Sequence, residues 1–173
     1  MVKHILFLKW WFLAILVTLG AYIAFNFGIF HEIWEQDFTK LSFVIFGLFA
    51  FISVWVGTVT WSVSRALGKK FLPGDTLKRA EYAEDTGWFI SDILFTIGMI
   101  GTVCGFIAML MGGFSGVDVS NPTTVQNMLS KLSGGMATAL YTTLAGLVSG
   151  VLLKVQCFNL TQGLDTFRRV NEK

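Results

Sequence analysis

Four apolar runs, each long enough to cross a lipid bilayer, constrain this chain more than any other feature. They lie near Trp10–Phe30, Leu41–Val63, Phe89–Met111 and Met136–Phe158. A helix crosses the hydrocarbon core in about 20 residues. In lipid every backbone N–H and C=O must be satisfied internally, so each run is expected to be helical. Composition agrees: 54% of the 173 residues are hydrophobic, 14% are charged, and mean hydropathy is +0.65. Soluble domains carry about 25% charged residues, so this balance excludes a soluble enzyme and a disordered chain. A net charge of +2 is too small for a polyanion-binding surface and excludes a nucleic-acid binder. Cys104 and Cys157 both lie in apolar runs, which excludes a secreted disulfide framework. The first run exceeds a signal core in length and no small-x-small site follows it, so it reads as a retained helix. The expected fold is an all-α integral membrane protein with four transmembrane helices.

Charge sets the expected orientation. Eleven of the 13 Lys and Arg residues fall in the N-terminal segment, the middle connection and the C-terminal segment, including Lys154 near the end of the fourth run. Only Lys40 and Lys131 fall in the other two connections. By the positive-inside rule both termini and the middle connection are cytoplasmic, as in a multi-pass protein of a bacterial inner membrane. Lys154 sits close enough to the inner end of its helix for its stem to snorkel toward the headgroups.

The two halves differ in kind. Residues 1–66 hold 16 of the 26 aromatics and four of the 18 glycines; the remainder of the chain holds the other ten aromatics and 14 glycines. Large rings suit a lipid-facing wall, with Trp10, Trp11 and Trp34 near the interfaces. Small residues suit close helix–helix contact. Residues 1–66 therefore read as an outer shell of helices one and two, and 67–87 as a short cytoplasmic loop. Residues 88–158 read as an inner lining of helices three and four, and 159–173 as a cytoplasmic tail.

The connections carry local signals. His31–Lys40 reads as a short, mildly acidic outer loop. Pro73-Gly74-Asp75 reads as a turn leading to a short charged helix with Lys78, Arg79, Glu81, Glu84 and Asp85, whose plain reading is a solvated face. In the outer loop 111–135, Val125, Met128, Leu129 and Leu132 follow helical spacing after an Asn121-Pro122 start, which predicts a separate short amphipathic helix. Leu160, Leu164 and Phe167 continue a helical stripe beyond the fourth span.

No enzyme constellation is visible, and nothing calls for a cofactor or a bound metal. His4 and His31 fall on opposite sides of the membrane, the cysteines form no CxxC, and no phosphate-cradling glycine loop opens a helix. The informative text is on helices three and four. Gly98, Thr102 and Gly105 share one face of helix three, with Gly101 and Gly105 as a small-xxx-small pair beside it. On helix four Ala139, Thr143, Gly146 and Gly150 make one stripe, and Thr138, Thr142, Ala145 and Ser149 the adjacent one. Leu140, Leu144, Leu147 and Val151 occupy the other side. The plain reading of such stripes is tight packing, with each threonine satisfied on the i−4 carbonyl. The functional reading is a narrow ion path in which hydroxyl oxygens replace part of a hydration shell.

Gly98-Met-Ile-Gly-Thr-Val-Cys-Gly105 resembles the Gly-hydrophobic-hydrophobic-Gly-Thr-hydrophobic-x-Gly segment of the MotA/TolQ/ExbB proton-channel proteins. Gly135-Met-Ala-Thr-Ala-Leu-Tyr-Thr-Thr-Leu-Ala-Gly-Leu147 is similar to their following helix, and the two matches together span about residues 90–157. Four helices rather than three are similar to the MotA branch. The resemblance implies an ion-driven motor subunit: a pentamer surrounding two copies of a single-helix partner that carries an aspartate in the membrane. It implies that helices three and four line the centre of that ring, with Thr102 and Thr143 on the ion path facing the aspartate.

Departures from the family pattern sharpen the expectation. Thr138 stands where ExbB and TolQ have a glutamate, which removes a titratable group. The twin threonine Thr142-Thr143 is similar to sodium-driven flagellar stators and tilts the expected ion from H⁺ toward Na⁺, held transiently there, although the pair also occurs as ordinary packing. Asp92, about one turn inside helix three, reads as an ion exit or as the partner of a loop lysine. A carrier needs a group that changes charge, and ionisable side chains in the membrane are the usual one. This chain lacks one at depth, so the partner must bring it. The middle segment of about 20 residues replaces the large cytoplasmic domain with which flagellar MotA pushes a rotor, so force is expected to leave through the partner to something outside the membrane, or into a cytoplasmic complex docked on the short loop and tail. Competing readings are a passive membrane scaffold and a small homodimeric exporter; the exporter would need its own embedded carboxylate.

Overall fold

The computed structural model describes residues 5–37, 40–68, 74–113 and 122–171. Among these it is all helical: α1 (Ile5–Asn26), α2 (Ile29–Gln36), α3 (Leu41–Gly68), α4 (Gly74–Gly113) and α5 (Pro122–Asn171). Four of them, α1, α3, α4 and α5, are long and apolar enough to cross a membrane. The N-terminus of α1, the start of α4 and the end of α5 lie together at one end of the bundle, here called the base.

Local chemistry explains the breaks. Gly28 adopts φ 74°, a left-handed conformation that suits glycine, and there α1 gives way to α2. Thus His31–Lys40, expected as a loop, is mostly helix: Phe30 and Trp34 stack near Phe46 and Phe43 of α3, and Ile33 is buried. The buried Asp37 carboxylate accepts a hydrogen bond from the Ser42 backbone N–H at 3.0 Å and places negative charge at the start of α3. Pro122 opens α5 at the position where a missing N–H costs nothing; Asn121 lies outside the described residues.

The long helices overturn two expectations. The charged helix expected around 78–85 is no separate element but the first part of a 40-residue α4. The amphipathic helix expected around 125–132 is likewise the first part of a 50-residue α5. Gly74 and Asp75 are helical rather than a turn, and Pro73 lies outside the described residues. At about 1.5 Å per residue these helices run to about 60 and 75 Å, roughly twice the hydrocarbon thickness. Gly87, Gly134 and Gly135 do not break them: both helices run through these positions, with Gly87 against Cys157 and Gly135 against Met109.

The core is a three-helix junction. Ile45, Phe49, Ile52, Val56, Val59 and Val63 repeat at alternating spacings of four and three along α3 and form one buried stripe. They pack with Leu94 of α4 and Ala145, Leu153, Cys157 and Leu160 of α5. Thr58, Thr60 and Ser62 of α3 donate their hydroxyls to carbonyls of their own helix, as from Thr60 to the Val56 carbonyl at 2.8 Å, whereas the buried Ser42 hydroxyl finds no partner. At the base, Ala80 and Ala83 of α4 meet Leu160 and Leu164 of α5 beneath the core. α1 joins this body near the base, where Trp10 covers Gly57, Phe7 meets Trp61 edge-on at 4.3 Å and Leu6 covers Gly163. Leu16, Leu19, Ile23 and Phe25 farther along α1 are exposed, as are Trp11 and Trp34.

Candidate ion-path site

The site is built by glycines that let α4 and α5 touch backbone to backbone. A Cβ added at Gly146 would lie 2.7 Å from the Leu94 carbonyl oxygen and 2.9 Å from the Gly98 Cα. One at Gly98 would lie 3.2 Å from Gly146 Cα, and one at Gly105 only 2.8 Å from Ala139 Cβ. Gly101 faces the Thr142 side chain, and Gly150 faces the Ser91 carbonyl oxygen. All six small residues singled out from the sequence therefore lie on one seam within the chain: Gly98 meets Gly146 and Gly105 meets Ala139, while Gly101 and Gly150 pack against Thr142 and Ser91. Close approach here replaces side-chain bulk with backbone contact, the usual basis of association in lipid.

The threonines divide between two sides of this seam. Thr142 is fully buried on the side nearest α3, where its hydroxyl donates to the Ala139 carbonyl at 3.2 Å. Thr143, one position on and about 100° around the helix, is half-buried at the opposite edge. There it shares a hydrogen bond with Thr102 of α4. Thr143 also donates toward the carbonyls of Ala139 at 2.9 Å and Gly98 at 3.2 Å, and Thr102 toward Gly98 at 3.2 Å. The Thr138 side chain lies outside what the structure describes.

The Thr102–Thr143 pair has distinctive hydrogen-bond arithmetic. Two hydroxyls supply two protons for four oxygen–oxygen contacts. At any moment two contacts lack a proton, so the pair can exchange donor and acceptor roles without breaking up. Neither α4 from Ile93 to Met111 nor α5 from Leu132 to Leu153 carries an acidic or basic residue. The pair is thus a polar spot in an otherwise uncharged stretch.

Toward the base the same edge opens into a groove of 350 Å³ between α4 and α5, lined by Asp92, Phe95, Leu147, Val151 and Lys154. Asp92 pairs with Lys154 at 2.8 Å. Its partner is therefore a lysine of the facing helix rather than of a loop, and Lys154 turns to α4 rather than only outward. Sequence reasoning also missed Gln156, buried against α3, whose amide donates to Ser53 Oγ at 2.8 Å while its carbonyl oxygen finds no partner. It follows Thr142 and Ser149 at intervals of seven, a spacing that marks the α3-facing side. Among the described residues no cluster of His, Cys, Asp and Glu is arranged to hold a metal.

No curated protein and no solved structure matches the chain. A family model does, over residues 78–166, which take in all of the seam, the threonine pair and the groove. That stretch covers just over half of the sequence, and the chain belongs to the MotA/TolQ/ExbB proton channel family.

Proposed function

We propose that this chain is the ion-conducting subunit of a membrane motor driven by ion-motive force. Several copies, a pentamer, form a ring around two copies of a single-helix partner whose membrane aspartate faces the Thr102–Thr143 pair. The observation that carries this reading is that pair: two hydroxyls at the open edge of the α4–α5 seam, able to trade proton roles, in a stretch without charge. The partner's carboxylate supplies the titratable group that this chain lacks at that depth. As a cation neutralises it, the carboxylate leaves the hydroxyls; as the cation departs, it returns. Each elementary charge falling through 100 mV releases about 2.3 kcal/mol, which turns the partner within the ring. We take H⁺ as the ion, because Thr142 faces Gly101 and does not share the open edge with Thr143. The catalytic inventory of an enzyme has no part in this reading, and no cofactor is needed.

The test is Thr102→Ala combined with Thr143→Ala in cells that also make the partner. Ion-driven output should fall by about tenfold or more, about 1.4 kcal/mol in barrier, while the oligomer still assembles. Unchanged output would favour the scaffold reading, in which the sealed glycine seam is structural only. Output that stops without sodium and survives a protonophore would replace H⁺ with Na⁺.

A further inference from the structure

We propose that the Asp92–Lys154 ion pair is a charge gate at the base of the α4–α5 groove, setting the sign of charge that passes between the threonine pair and the base. This rests on the reading of that pair as the ion path. Asp92, Phe95 and Thr102 lie along one edge of α4, and Thr143, Leu147 and Lys154 along the facing edge of α5. The gate thus stands about 15 Å from the threonines, at ten or eleven residues of about 1.5 Å each. Between them the groove walls are apolar, so the pair is the next charged feature an ion meets.

The pair is built to be opened rather than to hold the fold. Both side chains are exposed on the single protomer, 69% for Asp92 and 44% for Lys154, and the pair lies off the buried core. Such pairs contribute little to stability. Closed, the 2.8 Å contact cancels the two charges and leaves the groove mouth neutral. Open, the ammonium repels a cation that the carboxylate would attract. Lys154 also lies 5.9 Å from the Trp88 ring centroid, toward the base, which offers the ammonium a second resting place away from Asp92.

The experiment measures charge selection in the groove directly. Val151 lines the groove and is exposed, so Val151→Cys is labelled in membranes holding the full chain, with Cys104→Ala as background and the buried Cys157 left in place. The probes are a trimethylammonium and a sulfonate methanethiosulfonate of similar size, compared by their rates. Asp92→Asn should lower the cation-to-anion rate ratio by about fivefold or more, and Lys154→Gln should raise it comparably, as an unpaired charge nearby requires. The reciprocal exchange, Asp92→Lys with Lys154→Asp, should return the ratio to within about twofold of the parent. Ratios that stay within about twofold in both single variants overturn the gate, and so does a cysteine at 151 that neither probe reaches. Failure of the ion path itself is a separate result, read from output in the threonine variants and leaving these ratios untouched.

Discussion

At the scale of single residues, position on the helix decides what small and hydroxylic side chains do. Gly146 and Gly112 are both helical glycines. A methyl group at Gly146 meets backbone atoms of Leu94 and Gly98, which no rotamer change relieves, whereas at Gly112 it meets nothing within 4 Å. Gly146→Ala should therefore cost about 1–3 kcal/mol through overpacking. Gly112→Ala should be neutral or stabilise by up to about 1 kcal/mol through helix propensity. Thermal unfolding of the detergent-solubilised chain distinguishes them, and a Gly146→Ala variant as stable as the parent would mean the seam is looser than described. The same logic separates Thr142 from Thr143: neighbours in sequence, they occupy different sides of the seam.

At the scale of elements, α4 and α5 continue past the membrane-spanning stretch at the base and pair there. Arg168 meets Glu81 at 2.6 Å, and Thr161 donates to Glu84 at 2.7 Å. The carboxylate of Glu81 holds the guanidinium of Arg168 above its ordinary range. Beneath these polar contacts Leu160 and Leu164 are buried against Ala80 and Ala83. The apolar layer should dominate, since an exposed pair gives at most about 1 kcal/mol after solvent screening. Leu160→Ala should cost about 2–5 kcal/mol. Hydrogen exchange in residues 74–87 should thus rise sharply in Leu160→Ala and barely in Arg168→Ala. The reverse order would assign the base to its charges.

At the scale of the whole molecule, much apolar surface is left uncovered. Leu140, Leu144, Val151 and Phe158 line an exposed face of α5, and most of α1 is exposed as well. In a membrane such faces meet acyl chains or other helices. The proposed motor requires a ring, so native mass spectrometry from detergent should show a pentamer, alone or with two partner chains. A dimer would favour the exporter reading and a monomer the loss of the ring altogether.

The residues by themselves determined that four helices can cross a membrane, roughly where each lies, and which family the chain resembles, while the first helix ends at Asn26 rather than Phe30. Those properties follow from local hydropathy and from short motifs, neither of which needs a neighbour in space. Helix continuity was less legible: residues 67–87 and 111–135 read as connections, yet α4 runs through Gly87 and α5 through Gly134 and Gly135, and of these Gly87 and Gly135 pack against a neighbouring helix. The partners of Asp92, Gln156 and Thr143 were equally out of reach of spacing alone, because a helical wheel gives phase within one element but not the rotation of one helix against another. That rotation is settled by backbone contact at Gly98, Gly105 and Gly146. Tertiary structure therefore decided which threonine reaches the open edge and which is sealed within the protomer.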